Sequence, residues 1–149
     1  MTRSCSALVL AACTLISLSA CAAQPTPAAN PSATDTVMLA GQSLTLENHQ
    51  QRCALRKADQ SLLELEIPWP CALSPDRKGQ PRIEAFNDNA LIVIAYHSQT
   101  EPAPSRKCLS QYQAIRLIHE KLETSVVGRM SSCMNGPIDQ KNFVGLFNW

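Results

Sequence analysis

The chain is short of most features that announce a chemistry. Its 13 Lys+Arg and 12 Asp+Glu nearly cancel. A formal charge of +1 supplies no field to gather nucleic acid, and no basic stripe appears locally. No apolar run reaches the roughly 20 residues that a permanent membrane helix needs. There is no CxxC and no paired histidine, which removes the common zinc frameworks. HExxH and the nucleophile elbow are missing too, and nothing calls for a cofactor. Only seven residues are aromatic, and all lie from Trp69 onward, so the core is expected to be aliphatic with aromatic weight toward the C-terminus. No internal repeat is visible, and 149 residues make one domain.

What is present begins with the first 21 residues. Met1-Thr2-Arg3-Ser4 carries one positive charge, and Ser6 to Leu18 runs without charge for 13 residues. That is the length of a signal-peptide apolar region rather than of a bilayer span. The following Leu18-Ser19-Ala20-Cys21 resembles the bacterial lipoprotein box, a small-residue cleavage site ending in cysteine. The resemblance covers the leader only. It implies cleavage between Ala20 and Cys21, a diacylglycerol thioether on Cys21 and an acylated amine. Two or more acyl chains, at about 0.8 kcal/mol per buried CH₂, would anchor the protein stably. Ala22 in place of Asp is the residue that Gram-negative sorting associates with the outer membrane, facing the periplasm. On this reading residues 1–20 are the signal peptide and 21–36 the lipidated cysteine and its tether. Residues 22–36 hold Pro25, Pro27 and Pro31 and no large apolar side chain, too little to order themselves. Proline extends such a segment by about 3.1 Å per residue, which lets the body hang on the order of 45 Å from the lipid.

The folded part, 37–149, reads as mainly β (α+β): a small antiparallel sheet of hairpins with two disulfides and a short C-terminal helix. Val37, Leu39, Leu44 and Leu46 alternate around Gly41-Gln42, and Leu63, Leu65 and Ile67 alternate with Glu64 and Glu66. Pro68-Trp69-Pro70 ends that strand, since proline cannot donate to a ladder. Arg82 to Phe86, the polar Asn87-Asp88-Asn89 and Ala90 to His97 read as a hairpin whose second arm, apolar on both faces, sits centrally. Gln99 to Lys107 reads as a polar loop. Asp139 is placed to cap a helix whose Phe143, Leu146 and Phe147 face the sheet.

Residues 111–127 fit either a helix or a hairpin. The cysteines favour the hairpin. With a turn centred on Glu120-Lys121, Cys108 and Cys133 fall opposite each other at its open end. A continuous helix would hold them about 37 Å apart. Once Cys5 and Cys13 leave with the leader and Cys21 is lipidated, Cys53, Cys71, Cys108 and Cys133 remain, an even number in an exported body. Four cysteines allow three connectivities. Nearest-neighbour pairing follows from the hairpin and from the lower cost of closing short loops.

Candidate functional residues are few. His49 lies in a polar run; His97 or His119 with a carboxylate would be needed for a small periplasmic hydrolase. Glu64 and Glu66 share one face at a separation within glycosidase range, but alternation assigns them to solvent. The doublets Arg56-Lys57, Arg77-Lys78 and Arg106-Lys107 fall near predicted turns or loops. Trp69, held between two prolines beside Cys71, is either a plug on the rim of the core or an interface anchor. The leading expectation is a non-enzymatic, protein-binding module on a membrane tether. Trp69, Arg106 and Lys107 are its first candidate contacts, and another envelope protein its partner. In layout it looks like the small lipoproteins that inhibit lysozymes, confer immunity to toxins or assist envelope machines. The alternatives are the hydrolase and a purely structural envelope protein.

Overall fold

Period-two alternation recurs between Thr36 and Met130, and a computed structural model shows nine strands among the described residues. The structure describes residues 35–87, 89–134 and 136–149, so the leader, Cys21 and the expected tether up to residue 34 lie outside the described residues, as does Asp88 of the predicted turn. Strands β1 (Thr36–Leu39), β2 (Gln42–His49), β3 (Arg52–Lys57) and β4 (Leu62–Pro68) form an antiparallel sheet in that order. A second sheet contains β5 (Ala72–Leu73), β6 (Glu84–Phe86), β7 (Ala90–Thr100), β8 (Cys108–Ile118) and β9 (Lys121–Met130). In it β7 lies between β8 and the two short strands, with β9 on the far edge. A short helix, α1 (Lys141–Val144), follows.

The architecture is mainly β, as expected, but the expected single sheet is two. Strands β1 to β4 have one apolar face each and must bury it. They do so on β7 and β8: Leu39, Leu44, Leu55, Leu65 and Ile67 pack with Val93, Ala95 and Ile115 in one cluster. Strand β7 has a second apolar face, Ile92 and Ile94, and the C-terminal segment covers it with Met134 and Phe143. Phe143 is fully buried, and Leu146 and Phe147 pack on the same cluster, as the pattern predicted. Asp139 is not the cap. Gln140 occupies that position without a side-chain cap bond, and the Asp139 carboxylate lies 3.4 Å from Lys141 Nζ. The loop after β7 also starts later than expected, because pairing continues through Thr100↔Cys108.

Residues 111–127 are in the hairpin. Its turn is His119-Glu120, one residue earlier than the cysteines suggested, with Ile118 opposite Lys121. The register then shifts: Ile115 faces Thr124, whereas Gln113 faces Val127. The extra residue is a bulge at Ser125-Val126, and it moves β9 toward the register that Cys108 and Cys133 need. Ser125 Oγ accepts the Ala114 amide at 2.9 Å, restoring a hydrogen bond that the bulge removes from the ladder. Both disulfides join sequence neighbours, Cys53–Cys71 and Cys108–Cys133.

A second irregularity lies in β4. Between Ala54↔Glu64 and Arg52↔Pro68, one residue of β3 faces three of β4. The Glu66 amide donates instead to Gln113 Oε1 of the other sheet, at 2.8 Å. Gln113 is 2 % exposed, and its Nε2 donates to Ser125 O at 2.7 Å. One buried amide thus satisfies backbone groups from the bulges of both sheets.

Candidate functional site

The register assigns the connections to two ends of the sandwich. At one end are the turns at Ala40-Gly41, 58–61 and His119-Glu120, with Asn87 and Asn89 beside them. At the other are the Gln50-Gln51 turn, the Pro68-Trp69-Pro70 segment, the 101–107 loop and both disulfides.

The turn end is hollow. Two adjoining cavities of about 530 and 500 Å³ open there and share Gln42 and Glu120. Their apolar lining is Leu63, Leu91, Leu117 and Leu122, which are also the last residues of the inter-sheet core. Strand pairing stops here before the two sheets close over these leucines. The rim is polar and carries both signs, with Lys57, Asp59, Asn89, His119, Glu120 and Lys121. The Ser61 hydroxyl and amide both donate to Asp59 Oδ1, at 2.5 and 2.9 Å. These bonds, helped by Lys57, hold the Asp59 carboxyl below its ordinary value. His119 and Glu120 both have positive φ, 49° and 64°. Each costs roughly 1 kcal/mol over a right-handed conformation, and the pair sets both side chains at the mouth of the cleft.

The disulfide end collects the residues singled out from the sequence. Trp69 is half-buried against the first core cluster, and its amide donates to Gln51 O at 3.0 Å. Arg106 and Lys107 are exposed on the 101–107 loop. Strands β7 and β8 run past the end of β4. This leaves a ledge on which His97, Gln111 and Arg129 sit in one cross-strand row. Leu109, one pair further out, is 53 % exposed. The structure therefore brings Trp69, Arg106 and Lys107 to one end, and places them opposite the cleft.

The histidines fall in three settings. His97 Nδ1–H donates to Pro70 O at 2.7 Å, which occupies the ring with a main-chain carbonyl. His119 stands on the cleft rim. His49 lies 3.4 Å from the exposed Glu64, across the outer face of β2, β3 and β4. Glu66 is exposed on the same side, as alternation required. Among the described residues, no three His, Cys, Asp or Glu converge to hold a metal ion.

A third hollow, of about 550 Å³, lies between the loop before β6 and residues 137–140. Its Arg82 is engaged already: it donates to Glu84 and Ile138 O and stacks 4.9 Å from the Phe143 ring centroid. Arg116 does similar work at the C-terminus. It donates to Glu123 and lies 4.5 Å from the Phe147 ring and 4.9 Å from that of Trp149. These arginines hold the C-terminal segment on the second sheet.

The doublets at 56–57 and 106–107 gave their positions away in the sequence, but the cleft did not. Its leucines look like ordinary core residues. Of the turns that frame it, His119-Glu120 takes left-handed backbone without the glycine or asparagine that would have flagged it. No protein-family profile, curated protein or solved structure matches this chain.

Proposed function

We propose that this is a lipid-anchored protein of the bacterial periplasm, held at the outer membrane through Cys21, and that it binds another envelope protein without chemical turnover. The observation that carries the binding reading is the cleft at the turn end. It pairs an apolar floor of four leucines with a rim of both charges, on a body stapled by two disulfides. An apolar pocket with a few fixed polar groups is how proteins seat a protruding side chain of a partner. A stapled sandwich loses little conformational freedom on binding, so more of the contact energy appears as affinity. The action is steric: a partner's apolar side chain enters between Leu63, Leu91, Leu117 and Leu122, while Lys57, Glu120 and Lys121 select the charges beside it. The Cys21 anchor rests on the Leu18-Ser19-Ala20-Cys21 box.

Photo-crosslinking in intact cells tests this. A crosslinking residue replacing Lys121, on the cleft rim, is expected to trap a discrete envelope protein. Leu122→Arg added in the same chain is expected to abolish that product. Crosslinks that persist unchanged with Leu122→Arg would refute the cleft as the binding surface.

A further inference from the structure

Among the described residues six cations make no ion pair: Arg77 and Lys78 on the loop before β6, and four at or beside the disulfide end. Arg56, Lys57, Arg82, Arg116, Lys121 and Lys141 each lie within 4 Å of a carboxylate oxygen. Arg52, Arg106, Lys107 and Arg129 make no such ion pair among the described residues, and all four are exposed at or beside the disulfide end. Three carboxylates share that end: Glu64, beside His49, the exposed Glu66, further along β4 toward Pro68, and Glu101, which accepts from Ser105 Oγ at 2.8 Å. The end is net positive and also carries the half-buried Trp69 indole and the exposed Leu109. Basic residues combined with an indole and an aliphatic side chain suit the interface between headgroups and acyl chains.

The path of the chain points the same way. Strand β1 runs from Thr36 toward the Ala40-Gly41 turn, so the chain enters the domain from the disulfide side. An anchor at Cys21 leaves 13 residues, 22–34, before the first described residue. At most about 3.3 Å each, they keep this end within a few tens of ångströms of the lipid. A short tether of this kind makes docking intramolecular, at an effective concentration in the millimolar range.

We propose that the disulfide end docks on the anionic phospholipid leaflet that holds the Cys21 anchor, through Trp69, Arg52, Arg106, Lys107 and Arg129. This rests on the lipid-anchor reading. The sandwich then stands on the membrane with its turn-end cleft turned away from the lipid, toward a partner.

The test uses the full chain as isolated from bacterial membranes, reconstituted into vesicles of phosphatidylcholine alone or with one third phosphatidylglycerol. In a Trp149→Phe variant Trp69 is the sole tryptophan, and lipids spin-labelled near the headgroup quench it on contact. We expect strong quenching in the anionic vesicles, relief at high salt, and little quenching in phosphatidylcholine. Each cation at an anionic surface raises the docked population roughly fivefold, so Arg106→Gln with Lys107→Gln should lower the docked-to-free ratio about 25-fold. Equal quenching in both vesicle types, or none in either, overturns the proposal; the second result leaves this end to an acidic protein. Flotation at high salt reports the anchor separately. A chain that fails to float refutes the anchor, and its low-salt flotation with anionic vesicles still decides the docking surface.

Discussion

Gln113→Leu removes the one side chain that joins the bulges of the two sheets while nearly keeping its volume. The Glu66 amide and the Ser125 carbonyl, now bonded at 2.8 and 2.7 Å, lose their partners in a site that is 2 % exposed. An orphaned buried backbone group costs about 1–3 kcal/mol. Leucine returns about 1 kcal/mol through its apolar surface. The net loss is therefore about 2–4 kcal/mol, a large part of the margin of a domain this size. At a urea slope of about 1.5 kcal/mol/M, the unfolding midpoint of the oxidised protein should fall by roughly 2 M with little change in slope. Gln111→Leu is the control, since Gln111 lies on the same strand and face but at the open ledge; it should stay within about 0.5 kcal/mol of the parent. If Gln113→Leu unfolds at the parent's midpoint, the amide is not bridging the sheets, and the account of how the bulges are tolerated fails.

Four further outcomes are expected. Phe143→Ala empties the centre of the second cluster and should cost about 3–5 kcal/mol in denaturant unfolding. Gly128→Ala places a Cβ 2.4 Å from the ring of Tyr112, its cross-strand partner, and should destabilise by about 1–3 kcal/mol through overpacking, read as a lowered thermal midpoint. Replacing both Cys108 and Cys133 by alanine opens a 25-residue separation and should cost about 3.5 kcal/mol in the chain-entropy account. Glu123 is held below its ordinary pKa by hydrogen bonds from Arg116 and then Lys121. A depressed carboxyl contributes stability that is present above its unfolded value and is lost as pH falls through the folded one. Unfolding followed from pH 6 to 2 should show this acid loss, and Arg116→Gln should make it shallower.

Much of the fold was legible because it follows from local patterns. Leu63, Leu65 and Ile67 alternate with Glu64 and Glu66, and β4 buries and exposes them accordingly. Ala90 to His97 is apolar on both sides, and β7 is covered on both. The site was less legible. Trp69, Arg106 and Lys107 stood out by composition, but their meeting at one end is a product of strand direction. The leucines of the cleft carry no local mark, since a core leucine and a leucine at an open sandwich end have the same sequence signature.

Taken by itself, the order of residues determined most of the strands, which of their faces are apolar and which cysteines are near enough along the chain to close cheap loops. Those are short-range properties of side-chain period and loop length. Tertiary structure decided the rest. It split one expected sheet into two, because β1 to β4 could bury their single apolar faces only on β7 and β8. It moved the turn to His119-Glu120 and absorbed the difference in a bulge, because packing and Gln113 set the register there. It also gathered four of the six unpaired cations of the described residues at or beside the disulfide end, which no reading of neighbours along the chain can do.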